Sequence, residues 1–194
     1  MSEFILVDNL ELCLADELSQ ALKIAESLDV AAAYFSAGGY ELILDAIEDL
    51  LERGGPVRFL FGVHPSAGAR ALLATLRAAQ DRYGPERVAV RFIPPSEDRD
   101  FHAKVYIAKQ GALSTLIVGS SNLSRPGLAA NLELNYREVV ATDSEKLRLL
   151  SEWFEVLFQR EAREYRWETI EEIFTLPPFE PRRSTAALTP PTLR

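Results

Sequence analysis

The sequence predicts an α/β fold: a mixed, largely parallel central sheet flanked by helices on both faces. Two observations predict it. Short apolar runs alternate with amphipathic segments through the first half of the chain, and glycine–proline stops separate helices from the strands that follow. The first strand is Phe4 to Val7, followed by a helix from about Leu14 to Leu28. Val30 to Phe35 (VAAAYF) reads as a buried strand, and a helix from Gly39 or Tyr40 to Arg53 ends at Gly54-Gly55-Pro56. Val57 to Phe61, a helix from about Ser66 to Tyr83, the stop Gly84-Pro85 and a strand from Arg87 to Ile93 continue the alternation. Strand–helix–strand repetition of this kind implies right-handed crossovers and parallel pairing.

After Pro94-Pro95 the pattern changes. Three strand-like runs, His102 to Ala108, Thr115 to Gly119 and Leu132 to Ala141, follow with little room for helices, so some of them should pair antiparallel. A last amphipathic segment, Ser144 to Arg160, places Leu147, Leu150, Trp153, Phe154, Leu157 and Phe158 at helical spacing, as a core-packing or subunit-contact face would. Residues 1–176 are expected to form one domain. Residues 177–194 hold five prolines in eighteen positions and read as a linker or fraying tail.

Composition narrows the function. At 194 residues, 47% hydrophobic and 26% charged, the chain suits an ordinary globular domain. One cysteine, Cys13, cannot pair within the chain, and the N-terminus lacks a secretory pattern, so a reduced, cytoplasmic setting is expected. No run reaches the roughly 18 apolar residues of a membrane span. Two histidines and one cysteine leave too few ligands for a Cys/His zinc site, and no metal or other cofactor is expected. Net charge is −8, yet Arg99 to Arg148 carries seven Lys or Arg against five Asp or Glu, so the basic balance is local.

That same segment carries the chemistry. His102 and Lys104 stand two apart on a strand, so both side chains leave one face roughly 6–7 Å apart along the backbone. Gly119-Ser120-Ser121-Asn122 follows a strand and can offer backbone, hydroxyl and amide donors to an anion. Glu133 is the carboxylate available to hold His102 in one tautomer. Phosphoryl transfer needs an in-line nucleophile, a proton donor and fixed positive charge around the equatorial oxygens, and these residue types match it. His64, in the turn after Val57 to Phe61, could line the pocket. Lys109, Arg99, Arg125 and Arg137 could meet a phosphate backbone, although each alone also suits a solvated surface charge. No P-loop, dinucleotide fingerprint or nucleophile elbow is present.

His102, Lys104, the Gly119 to Asn122 run and Glu133 together resemble the signature of the phospholipase D superfamily, in its single-motif, nuclease-like and helicase-associated branches. The resemblance implies a metal-independent phosphodiesterase in which His102 attacks phosphorus. Lys104 and Asn122 would bind the phosphate oxygens, Ser120 would assist, and Glu133 would orient His102. The family builds its site from two such motifs, and this chain has one, which implies a homodimer with His102 of each subunit completing the other's site. The family's pattern places Asp five residues after the lysine, where this chain has Lys109. The implied partner is nucleic acid, DNA in preference to RNA, with a helicase or ATPase as a further partner and no membrane. A catalytically silent nucleic-acid-binding module and a phospholipase are the rival readings.

Overall fold

The computed structural model describes residues 3–94, 96, 100–164 and 166–175. The proline-rich tail and Arg99 lie outside them. The strands are β1 (Glu3–Val7), β2 (Ser27–Ala32), β3 (Val57–Gly62), β4 (Val88–Ile93), β5 (Lys104–Gln110), β6 (Leu113–Gly119) and β7 (Asn135–Ala141). The helices are α1 (Leu14–Leu22), α2 (Ala37–Tyr40), α3 (Leu44–Glu52), α4 (Ala67–Tyr83), α5 (Glu145–Val156) and α6 (Trp167–Thr175). All seven strands form one sheet in the order β1-β7-β6-β5-β2-β3-β4.

The sheet is mixed, as expected, but its parallel part is confined. Only β2–β3 and β3–β4 are parallel neighbours, and the other pairings are antiparallel. The reason is connectivity: α3 and α4 supply crossovers between β2, β3 and β4, whereas β5 and β6 are joined by a short turn at Gly111 (φ 51°) that only antiparallel neighbours can share.

Both faces carry helices. On one, Leu14, Leu18 and Leu22 of α1, Ile47 and Leu50 of α3 and Leu72 and Leu76 of α4 bury Val30, Phe59, Phe61 and Tyr106. On the other, Leu147 and Phe154 of α5, with Phe158 beyond it, cover Ala31, Leu60, Val105, Ile107 and Leu116. That cover is incomplete. Phe4, Leu6, Val118 and Tyr136, all in the strands at the β1 side, remain exposed on this second face, along with Leu134 just before β7.

Two expectations are corrected. The first helix ends at Leu22 rather than near Leu28, because the Arg53 guanidinium donates to the carbonyls of Leu22 (2.8 Å) and Ala25 (3.4 Å) and so satisfies its C-terminal end. Leu28 continues the helical spacing only because it is core in β2. The last helix is not the Ser144 to Arg160 segment but α6. Its Phe174 packs against Phe35 and Phe92, both at 5.7 Å between ring centroids, and Trp167 Nε1 donates to Gln80 Oε1 (3.0 Å). Among the described residues, no helix is long and apolar enough to cross a membrane.

Candidate active site

One edge of the sheet gathers the C-terminal ends of β2, β3 and β6 and the starts of β5 and β7. Register sets this: Ala32 pairs with Lys104, and Gly119 with Asn135. Ligands collect where strand ends face open space, since the backbone there is free of ladder partners. The loop after β6 is tied down from below. Tyr106 Oη donates to the Ser121 carbonyl (3.0 Å), and Asn135 Nδ2 donates to Ser121 Oγ (2.8 Å). Ser121 and Asn135 are therefore buried supports. Gly119 is required here, because any side chain would collide with the Leu134 carbonyl and Asn135.

His102, Lys104 and Asn122 come together at this edge. Lys104 is 6% exposed, and its Nζ lies 2.7 Å from His102 Nδ1 and 2.7 Å from the His102 carbonyl oxygen. Burial pushes the ammonium below the ordinary lysine range, and the Glu133 carboxylate pulls the other way. An ammonium can only donate, so His102 Nδ1 accepts and its Nε2 carries the proton in the resting protein. Asn122 is oriented from β2's end: the Tyr34 backbone N–H donates to Asn122 Oδ1 (2.9 Å), which leaves Nδ2, a pure donor, for an incoming anion.

Glu133 does not hold His102. Ser120 Oγ donates to Glu133 Oε2, Asn131 Nδ2 donates to Oε1 (3.4 Å), and the Leu134 N–H donates back to Ser120 Oγ (3.0 Å). The orientation expected from the carboxylate comes instead from Lys104. Ser120 is thus engaged with Glu133, at the exposed rim of the loop.

His64 does reach the site, through a contact invisible in the sequence. Its ring lies 4.2 Å from that of Tyr34, whose ring is in turn edge-on to His102 at 6.1 Å. The imidazole folds back over Gly62, where an added Cβ would stand 3.1 Å from its Cδ2 and 3.2 Å from its Nε2. Burial, with the charges of His102 and Lys104 against Asp100, holds His64 below the ordinary histidine range. Tyr34 is the site residue that sequence reasoning missed: it falls in a run read as continuous buried strand, and its exposure has no sequence signal.

Lys109 is elsewhere. It sits at the other end of β5, roughly 16 Å along the strand from Lys104, with its Nζ 3.9 Å from the carboxylate of Asp29. Arg125 lies on the loop beyond Asn122 and pairs with Glu41 (3.4 Å). Arg137 faces Glu17 (3.2 Å).

An imidazole, a buried ammonium and a carboxamide thus stand where strands of a mixed α/β sheet end. The chain belongs to the PLD-like domain family: the family model described as cardiolipin synthase, PLD-like domain, matches residues 14–158. Among solved structures, it is similar to NucT from Helicobacter pylori, with TM-score 0.63 and 16% identity over 85% of this chain and 100% of that one. It is similar too to Nuc from Salmonella typhimurium, a phospholipase D family member, with TM-score 0.61 and 19% identity over 86% and 99%. A third likeness is to phosphatidylserine synthase from Haemophilus influenzae, with TM-score 0.62 and 12% identity over 90% of this chain but 44% of that one. No curated protein matches the chain in sequence.

Proposed function

We propose that this protein is a homodimeric phosphodiesterase that cleaves nucleic acid, DNA in preference to RNA, through a phosphohistidine on His102 and without a divalent metal. The observation that carries the reading is Lys104: a buried ammonium whose hydrogen bonds go to His102, at the same end of the sheet where the Tyr34 N–H orients the Asn122 amide. A phosphate entering between them gives that ammonium a better acceptor than a neutral ring nitrogen. Withdrawal of Lys104 from Nδ1 lets the proton of His102 pass from Nε2 to Nδ1 through water, which frees the Nε2 lone pair.

The Nε2–P bond then forms as the P–O bond to the leaving group breaks, and an acid protonates the departing oxygen. His64 is poorly suited to that role, being held neutral with its Nε2 edge turned to Gly62. His102 of a second copy, entering the step as the imidazolium, supplies that proton and is left neutral, and in the second step it takes a proton from the water that attacks phosphorus and releases the nucleophile. The exposed face formed by Phe4, Leu6, Val118, Leu134 and Tyr136 borders the Ser120–Glu133 pair and supports burial against that second copy.

The test is cleavage of labelled oligonucleotides by wild type and His102→Ala in EDTA, with mass in solution by light scattering. A dimer that cuts in EDTA, and a His102→Ala dimer that does not, is the expected outcome. Retained cleavage by His102→Ala, strict magnesium dependence or a lone protomer would falsify the mechanism. One observation favours a second reading, a silent binding module: Lys104 fixes the Nε2–H tautomer and Glu133 is engaged away from His102. Binding without turnover at any pH identifies it. Hydrolysis of phospholipid vesicles in place of oligonucleotides identifies a phospholipase.

A further inference from the structure

Tyr34 stands between two residues that the core claims. Ala33 is fully buried, and Phe35 stacks on Phe61 at 4.0 Å, yet Tyr34 is 44% exposed. Its ring is held nonetheless, with the His64 imidazole at 4.2 Å and 31° on one side and His102 edge-on at 84°. Its backbone is held too, since its N–H donates to Asn122 Oδ1 and the neighbouring Ala33 N–H donates to the Ala103 carbonyl (3.0 Å). The residue that aims the amide of Asn122 thus also presents an aromatic face next to the same pocket.

We propose that Tyr34, backed by His64, is a nucleobase-stacking subsite that selects single-stranded nucleic acid. The inference rests on the phosphodiesterase reading and names its substrate class. A base flanking the bound phosphate can lie on the Tyr34 ring only if it has left its own stack, which a single strand allows and a duplex resists. The platform carries no hydrogen-bond code for a particular base, so selection is for strandedness rather than sequence. His64 contributes an imidazole held neutral by burial, a stacking surface rather than a proton carrier. Gly62 makes room for this, because a Cβ there would stand 2.9 Å from the Ala33 carbonyl and crowd the imidazole at 3.1–3.2 Å.

The experiment measures binding and cleavage separately. Binding uses a single-stranded oligonucleotide carrying 2-aminopurine, whose fluorescence is quenched on stacking, and the protein in a His102→Ala background. The wild-type Tyr34 protein is expected to quench the probe and to prefer it over a duplex of the same sequence. Tyr34→Ala, which keeps the backbone N–H to Asn122, is expected to abolish the quench and raise Kd about ten-fold, the scale of one base stacked on an aromatic ring. Tyr34→Trp should restore both. An abasic position in the probe should erase the difference between Tyr34 and Tyr34→Ala.

Unchanged Kd and quench in Tyr34→Ala, or equal affinity for duplex, overturns the subsite. If His102-containing protein cuts oligonucleotides in that case, the phosphodiesterase reading stands alone. If Tyr34→Ala loses binding while no version cuts, the subsite stands and the catalytic reading falls. No binding of any oligonucleotide overturns both.

Discussion

The two ends of β5 hold lysines five residues apart with opposite roles. Lys109 meets the buried carboxylate of Asp29, which is also gripped by Arg58 through Nε at 2.7 Å and a second nitrogen at 2.9 Å, with Glu155 on the remaining arm at 2.7 Å. Lys104 is more deeply buried than Lys109, yet among the described residues no carboxylate lies within ion-pair distance of it. Its acceptors are a ring nitrogen and a carbonyl. A buried cation without a counter-ion is costly, and a fold keeps one where an anion is to arrive. Charge that is already matched holds the sheet together. Charge left unmatched marks the candidate site.

The largest effect should come from Lys104. Lys104→Met is expected to lower turnover about 10²- to 10³-fold, the loss seen when one donor to a developing oxyanion is removed. Its unfolding midpoint in urea should not fall, since the variant relieves a burial cost. A large loss of stability with activity per folded molecule intact would reverse the assignment of the two ends.

At the opposite end the signs exchange. Asp29 is 4% exposed, and Asp29→Asn leaves Arg58 with only the exposed Glu155 as a carboxylate partner, so stability should drop by about 2–3 kcal/mol in urea unfolding. Turnover per folded molecule should be unchanged. The stacking of Arg58 over Phe154 and Phe158, at 5.0 and 5.2 Å, links this network to the helix that covers the second face, so the variant should also loosen α5 in hydrogen exchange. If Asp29→Asn instead removed cleavage without unfolding, the Lys109 end would belong to the chemistry.

The same contrast explains what could be read in advance. The α/β alternation was legible because glycine and proline stops mark it, and His102, Lys104 and Asn122 were legible because a period-two strand and a loop after glycine are local patterns. Partnership was not legible. Whether Glu133 meets His102 or Ser120 depends on a loop closing on itself, and the meeting of Tyr34 with His64 depends on β2 and β3 ending in register, with Ala32 opposite Phe61. Lys109 in the motif's acidic position looked like a departure. In the sheet that lysine faces the buried carboxylate of Asp29 on the adjacent strand at 3.9 Å, where Ser27 pairs with Lys109.

The smallest expected effect lies between the two ends, at His64. Its folded pKa is below the ordinary 6.5, through burial first, with the nearby Lys104 and His102 side chains adding to it and Asp100 opposing. Above 6.5 the imidazole is neutral whether the chain is folded or not, and it contributes nothing to pH dependence. As pH falls through 6.5 the unfolded chain takes up a proton that the folded one refuses, so stability declines until the folded pKa is passed and then levels off. His64→Gln removes that titration while the remaining groups still titrate. Urea midpoints at pH 7.5 and pH 5.0 should therefore fall further for wild type than for His64→Gln. An equal fall in the two proteins would mean that the ring is already solvated, and that the cationic end of β5 does not extend its field to the base platform.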